Sequence, residues 1–198
     1  MNKTLYVTSF NKKLFEVTGK SMVESFLNTK MEGHLLITYE DDISKEIPKA
    51  DNITLLNLED YKFLNDWLET NKDIIPKEYG GEMEGCGCKD IPPNKHYYKD
   101  HIKRCPNLGF NRRASLWFRK IAAMNHALEM ATSEDYENHP DEENPQRIVF
   151  IDSDVIFKNG ISDDFLDKAF KNVGFFFHLG THRKRIGTGI ESGFIGFS

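Results

Sequence analysis

Short β-branched stretches alternate with amphipathic stretches over the first third of the sequence, and this alternation limits the fold more than any other feature. Strand-like segments occur at 4–10, 34–40 and 52–58, and helix-like segments occur at 13–29 and 59–72. Strands and helices that alternate at this spacing form βαβ units, in which successive strands lie parallel. We therefore predict an α/β fold built on a mixed, mostly parallel sheet.

Length and charge narrow the class of protein. With 198 residues the chain is long enough for one domain with a substantial core. Its net charge of −5 gives no support for nonspecific nucleic-acid binding. No apolar stretch approaches the roughly 18 residues needed to span a bilayer, and the apolar part of the N-terminus is shorter than a signal-peptide core. We expect a cytoplasmic protein without a transmembrane segment or a nucleic-acid partner.

An irregular stretch at 74–111, rich in proline and glycine, interrupts the alternation and is predicted to be an insertion in the single domain 1–198. The side chains in it that could bind a structural Zn²⁺ are Cys86, Cys88, His96, His101 and Cys105. Cys-x-Cys is less typical of zinc sites than Cys-x-x-Cys, so reduced cysteines are favoured over zinc. The odd number of cysteines argues against a disulfide framework.

The clearest helical pattern covers 112–131. Its apolar residues recur three and four apart and form one stripe, which we expect to dock on the sheet. The stripe consists of Ala114, Trp117, Ile121, Met124 and Leu128. Arg113 and Lys120 fall together on one flank of this stripe, so the helix should carry two cations along a single edge of the contact.

Two aspartates, Asp152 and Asp154, directly follow the apolar run 147–151. A continuous apolar run is typical of a central parallel strand, and ligands of α/β sheets bind beyond the carboxyl ends of such strands. A spacing of two puts both side chains on one side of an extended backbone, where they repel each other unless a cation lies between them. We predict a divalent metal site. The alternative is that one aspartate begins a turn and the other is solvated.

Three segments together resemble the glycosyltransferases of the GT-A fold. The stretch IVFIDSDVIF (148–157) resembles the D-x-D signature of these enzymes, and RRASLWFRKIAAMNHAL (112–128) resembles the helix that precedes it in several families. The final ESGFIGFS (191–198) resembles an E-x-G-F-[VI]-G-[FY]-N element of a bacterial and viral branch. The resemblance implies a GT-A-like, Rossmann-like three-layer α/β/α sandwich. It also implies metal-dependent transfer of a sugar from a nucleotide-diphosphate donor to a glycan, lipid or protein acceptor.

The resemblance also implies roles for individual residues. Asp154 would be the direct ligand of Mn²⁺ or Mg²⁺, and Asp152 would bind the metal or the hydroxyls of the donor's ribose and sugar. Glu191 would line the pocket of the donor sugar and the acceptor, which makes it the third catalytic candidate. The residues implied to contact the nucleotide sugar are Thr8, Ser9, Phe10, Glu40, Asp41, Arg113, Lys120, Ser153, Ser192 and Gly193. By position alone, Asp163, Asp164 and Glu191 are all candidates for the general base.

Other interpretations stay open. The family element normally ends in Asn where this chain has Ser198, its last residue, so we expect that the C-terminus is incomplete. The basic loop 181–189 is either a phosphate-binding loop or a solvated turn. The strand followed by Asp-x-Asp also fits a haloacid-dehalogenase-like phosphatase with Asp152 as nucleophile, although the motif lies late in the chain for that family. A third alternative is a non-catalytic fragment that binds a nucleotide sugar or a carbohydrate.

Overall fold

The computed structural model describes residues 4–72, 110–132, 145, 147–171, 175–179 and 190–197. The chain divides into two compact units, Met1–Glu59 with Ala123–Ser198 and Asp60–Ala122. Nearly all of the stretch 74–111, including the three cysteines, lies outside the described residues. The single domain with an insertion therefore stays a prediction.

A six-stranded sheet forms the first unit. Its strands are β1 (Thr4–Phe10), β2 (His34–Tyr39), β3 (Ile53–Asn57), β4 (Arg147–Ile151), β5 (Phe175–Leu179) and β6 (Ile190–Phe197). Their order across the sheet is β3-β2-β1-β4-β6-β5. The four strands β3, β2, β1 and β4 are mutually parallel, and β6 runs antiparallel to β4 and to β5. The predicted α/β class is confirmed.

The helices fall where the amphipathic patterns indicated, with shifted ends. They are α1 (Lys12–Leu14), a π-helical turn (Phe15–Gly19), α2 (Lys20–Asn28), α3 (Lys62–Thr70), α4 (Phe110–Thr132) and α5 (Asp163–Ala169). A 3₁₀ turn, Leu58–Asp60, precedes α3, so that helix begins later than the pattern predicted. None of the helices in the described ranges has the length and apolar character needed to cross a membrane.

Side chains alternate between the two faces of the sheet, and each face carries an apolar cluster. The first cluster includes Tyr6, Leu35, Ile37, Val149 and Ile151 of the sheet with Met22, Val23 and Phe26 of α2. The second includes Leu5, Val7, Leu36, Ile148 and Phe150 of the sheet with Ala123 and Ala127 of α4. Because β1, β2 and β4 are buried on both faces, their polar chemistry is confined to the strand ends.

Of the stripe predicted to bury α4, Met124 packs against the second cluster, but the prediction is wrong for Trp117, Ile121 and Leu128. Trp117, Ile121 and Leu128 are 51%, 48% and 52% exposed, whereas Ala123 and Ala127 are fully buried. Alanines let a helix axis approach its neighbour more closely than large side chains do, so the helix packs through its small residues. Spacing alone could not distinguish the two faces, because both are apolar.

In the helix-like segment 13–29, Leu14, Val17, Met22, Phe26 and Leu27 are helically spaced, which predicts one buried face. Met22 and Phe26 are buried as predicted. Val17, expected on the apolar face, is 70% exposed, while Phe15 and Gly19 are buried. The N–H of Lys20 donates to the carbonyl of Phe15, five residues earlier. The extra residue in this π-helical turn shifts the phase of the side chains, so an α-helical period misassigns them.

A buried guanidinium fixes the amino end of β4. Arg147 is 3% exposed, and it pairs with Asp163 at 3.0 Å and with Asp167 at 2.9 Å. The hydroxyl of Thr4 donates to the same Asp163 carboxylate at 2.9 Å. These bonds join the first residues of β1 and β4 to the first turn of α5. Burial and the Asp163 carboxylate raise the pKa of Tyr6 well above its usual range, so its phenol stays neutral.

Replacing Arg147 with Met should destabilise the protein by about 2–3 kcal/mol in urea unfolding, because Asp163 loses a charged partner in a poorly solvated place. The matched control is Lys72→Met, which removes the cation of an exposed pair with Glu69 and should cost less than about 0.5 kcal/mol. Equal losses for the two variants would contradict a structural role for the buried pair.

Gly33→Ala should cost about 2–4 kcal/mol in the same measurement. Gly33 has φ +139°, and an added Cβ would lie 2.6 Å from the Tyr6 ring and 2.8 Å from the Thr4 carbonyl oxygen, which combines backbone strain with overpacking. Lys30→Gly is the opposite control. Lys30 has φ 50°, so glycine there should leave stability unchanged or raise it by up to about 1 kcal/mol. A tolerated Gly33→Ala would contradict the described turn.

Candidate functional site

The two aspartates follow β4 at the point where the strand order reverses. From β1 the sheet grows through β2 and β3 on one side and through β4 on the other. Ligands of open α/β sheets bind at such a reversal, in the crevice outside the carboxyl ends of the strands. Val7 of β1 pairs with Phe150 of β4, so Asp152 leaves the sheet level with Ser9. Ser9 and Asp152 therefore lie level with each other where adjacent strands end.

The residues Asp152–Val155 form a turn. The N–H of Val155 donates to the carbonyl of Asp152 at 3.1 Å, and β4 ends at Ile151. Asp152 and Ser153 are half-buried, and Asp154 is exposed. A spacing of two aligns both carboxylates only where the backbone is extended, whereas the backbone here forms a turn. Aspartate is common as the first residue of a turn, so the turn alone also fits the alternative without a metal.

The segment after this turn is fixed along the helix that follows β1. Val155 and Phe157 pack against the first apolar cluster. The polar contacts are Ser153 Oγ with Thr18 Oγ1 at 3.5 Å, Phe157 N–H with Ser25 Oγ at 3.1 Å, and Ile161 N–H with Met31 Sδ at 3.2 Å. The aspartates are therefore attached to a segment that is held on both sides, by β4 and by this docking.

The antiparallel strand β6 brings a second predicted element to the same place. Ile151 pairs with Phe194, so the register sets the backbone of Gly193 and Ser192 beside the start of the Asp152 turn. Of Arg113, Glu191, Ser192 and Gly193 the structure describes the backbone but not the side chains. The Asp-x-Asp segment and the E-x-G-F segment, 36 residues or more apart in sequence, are thus adjacent in the sheet.

Two of the three residues predicted to contact the nucleoside from β1 are buried. Thr8 is fully buried, and Phe10 is 2% exposed with its ring 5.3 Å from that of Phe15. Ser9 is half-buried. A ligand at the end of β1 would therefore meet the side chain of Ser9, while Thr8 and Phe10 serve the core.

The N-terminus of the helix after β1 is capped by side chains of the protein. The carboxamide oxygen of Asn11 accepts from Leu14 N–H at 2.9 Å, and the carboxylate of Asp41 accepts from Lys12 N–H at 2.9 Å. Asp41, at φ 67°, in turn donates its own N–H to Glu59 at 3.2 Å. Helix N-termini are common phosphate sites, but here a carboxylate already uses the donors. A diphosphate at this edge of the sheet needs another source of positive charge.

The carboxyl edge of the parallel strands is acidic. Its carboxylates are Glu40, Asp41, Asp42, Glu59, Asp152 and Asp154. In the part of the chain that the structure describes, no group of three or more His, Cys, Asp or Glu is arranged to hold a metal ion. Mg²⁺ and Mn²⁺ fit two carboxylates when water and substrate phosphates complete the coordination. The described carboxylates are therefore compatible with a metal that is brought together with a nucleotide.

Some candidate residues lie elsewhere. Asp163 is bonded to Arg147 and Thr4 at the amino end of the strands, which separates it from Asp152 by the length of β4. Lys120 is half-buried and belongs, with Arg113, to the second unit. The side chains that could bind zinc, the loop 181–189 and Ser198 are outside the described residues. Sequence reasoning missed Thr18 and Ser25, because the π-helical turn hides the face they occupy.

Comparison with models of protein families gives no match, and comparison with curated proteins gives none either. The interpretation as a GT-A glycosyltransferase therefore depends on the sequence elements themselves. Two of these elements, Asp-x-Asp and E-x-G-F, meet at one edge of the sheet, which is an observation independent of the resemblance.

Gly160→Ala should loosen the segment that carries the aspartates. An added Cβ would lie 2.7 Å from the backbone oxygen of Thr29, so the segment must move away from the helix, at a cost of about 1–3 kcal/mol in urea unfolding. The exposed neighbour Asn159→Ala is the control and should change stability by less than about 0.5 kcal/mol. If both variants match the parent protein, the segment is not docked as described.

Proposed function

We propose that this protein is a metal-dependent glycosyltransferase with a GT-A-like three-layer α/β/α fold. It transfers a sugar from a nucleotide-diphosphate donor to a glycan, lipid or protein acceptor, and it works in the cytoplasm. The observation that carries the proposal is the position of the Asp152 turn at the strand-order reversal, beside the start of β6. Neither the buried strand alone nor the Asp-x-Asp pattern alone would support it.

The acidic edge selects the kind of ligand that can bind there. A free diphosphate would be repelled by Asp152 and Asp154, and the helix N-terminus nearby is already capped by Asp41. A diphosphate accompanied by Mn²⁺ or Mg²⁺ reverses that repulsion, because both carboxylates then face a cation. Asp154 is the direct metal ligand in this proposal. Asp152 binds the metal or the ribose and sugar hydroxyls.

The positions of further residues around the Asp152 turn suggest their binding roles. Ser9 and the backbone at the end of β1 contact the nucleoside, and Glu40 borders the same region from β2. Ser153 lies next to the donor. The backbone of Ser192 and Gly193, next to the turn, lines the donor sugar. For Arg113 and Lys120, contact with the donor phosphates is a role that only the sequence resemblance implies.

The reaction breaks the bond between the anomeric carbon of the sugar and the diphosphate oxygen. The nucleoside diphosphate leaves with the bonding electrons, an acceptor oxygen forms the new glycosidic bond, and the acceptor proton passes to a base. The metal would supply Lewis-acid stabilisation of the negative charge that grows on the leaving diphosphate. Asp152 and Asp154 orient the diphosphate for departure, and Glu191 is the candidate group on the acceptor side.

A thermal-shift panel of nucleoside diphosphates and nucleotide sugars, with and without Mn²⁺, tests the proposal. Ligand at about 100 times its dissociation constant stabilises the folded state by about 2.7 kcal/mol, which raises the melting temperature by roughly 5–10 °C for a chain of this size. We expect this shift only when nucleotide and Mn²⁺ are both present. Asp154→Asn should abolish it, and the exposed control Asp51→Asn should retain it.

The same variants separate the competing functions. Release of nucleoside diphosphate from a nucleotide sugar, dependent on Mn²⁺ and lost in Asp154→Asn, is expected for a transferase. Binding with no release in the presence of acceptors would indicate a non-catalytic binding fragment. Hydrolysis of p-nitrophenyl phosphate through a phosphorylated Asp152 would indicate the phosphatase. A shift that is identical in Asp154→Asn would contradict the proposed metal site.

A further inference from the structure

The contacts between the Asp-x-Asp segment and the helix after β1 follow the same order along both segments. Moving away from β4, the segment meets the helix first at Thr18, then at Ser25, and then at the end of α2. The N–H of Asp163 continues the series to Glu32 at 2.9 Å. Each contact lies further from β4 than the previous one. The first contact is therefore the one nearest the aspartates, and it constrains their geometry most directly.

The series begins in the π-helical turn. Thr18 lies within Phe15–Gly19, where the Lys20 N–H bonds to the Phe15 carbonyl. Turns of this kind are rare, and they occur frequently at functional sites. Here the packing explains how the turn is held, since an added Cβ on Gly19 would lie 3.1 Å from the Phe10 ring. The π-helical turn thus packs against Phe10, which is the last residue of β1.

The side chain of Thr18 makes two polar contacts. Its Oγ1 lies 3.2 Å from the Leu14 carbonyl oxygen, to which it donates, and 3.5 Å from the hydroxyl oxygen of Ser153. Ser153 is the residue between the two aspartates, and both hydroxyls are half-buried. A ligand of the turn would be bound by Asp152 and Asp154, the residues on either side of Ser153. Thr18 therefore contacts the middle of the motif, while Asp154 remains exposed.

We propose that Thr18 is a positioning residue, which holds the Asp152–Val155 turn in the geometry that binds a metal–diphosphate complex. This inference rests on the proposed function, because it concerns the same site. The hydroxyl and not the bulk of the side chain is the acting group. Partner groups behind metal ligands commonly change ligand affinity by ten- to a hundredfold, and the Thr18 contact, at 3.5 Å, belongs at the lower end of that range.

The test is isothermal titration of UDP, GDP and ADP into the full chain at a fixed excess of Mn²⁺. Thr18→Val keeps the shape and removes the hydroxyl, and it should weaken binding of whichever nucleotide the parent protein binds by about tenfold. Thr18→Ser restores the hydroxyl and should bind within about twofold of the parent. Urea unfolding of both variants, run alongside, checks that the loss is not a loss of folding.

Thr132→Val is the matched control. Thr132 also donates its hydroxyl to the carbonyl four residues earlier, at 2.8 Å, so this variant loses the same local bond in another helix and should bind like the parent. If the parent binds nucleotide with Mn²⁺ and Thr18→Val binds equally well, or Thr18→Ser does not restore affinity, the positioning role is overturned and the proposed function stands. If the parent binds none of the three nucleotides, the proposed function fails and the inference fails with it.

Discussion

Burial of β4 between β1 and β6, with apolar clusters on both faces, is the constraint on which the rest of the structure depends. All five residues of the strand are buried, including Arg147. A strand in this position has no room for polar side chains between its ends, so charge collects where the strand enters and leaves the sheet. The two ends then acquire different chemistry, because Arg147 at one end is buried and Asp154 beyond the other end is exposed.

At the buried end, a cation is neutralised by two carboxylates of α5, which ties that helix to the sheet. At the exposed end, two carboxylates follow the strand, and the described contacts hold their backbone and leave Asp154 exposed. An enclosed charge that is paired within the protein stabilises the fold. Negative charge kept at an open edge of a sheet instead favours a cationic or metal-bound ligand. One strand thus carries a structural ion pair at one end and the candidate site at the other.

Much of the sheet could be predicted from the sequence, because β1, β2 and β4 are apolar runs with distinct ends. The position of Asp152 beyond β4 followed from the same pattern. Side-chain period failed where the backbone was irregular or where two helix faces were both apolar. Val17 was misplaced because a π-helical turn changes the period, and Trp117 was misplaced because α4 packs through alanines such as Ala123. The contact of Thr18 with the aspartate turn is a tertiary contact between distant segments, and no local pattern encodes it.

In the proposed function, a metal–diphosphate complex binds at the Asp152 turn. Nuclear magnetic resonance of the ¹⁵N-labelled protein with a nucleoside diphosphate and a small proportion of Mn²⁺ tests it directly, since Mn²⁺ broadens nearby amide signals most strongly. We expect the strongest broadening at Thr18, Ser153 and Val155, and weak broadening at Gly33, which lies roughly 16 Å away along the strands. Broadening centred elsewhere, or equal with and without nucleotide, would contradict it.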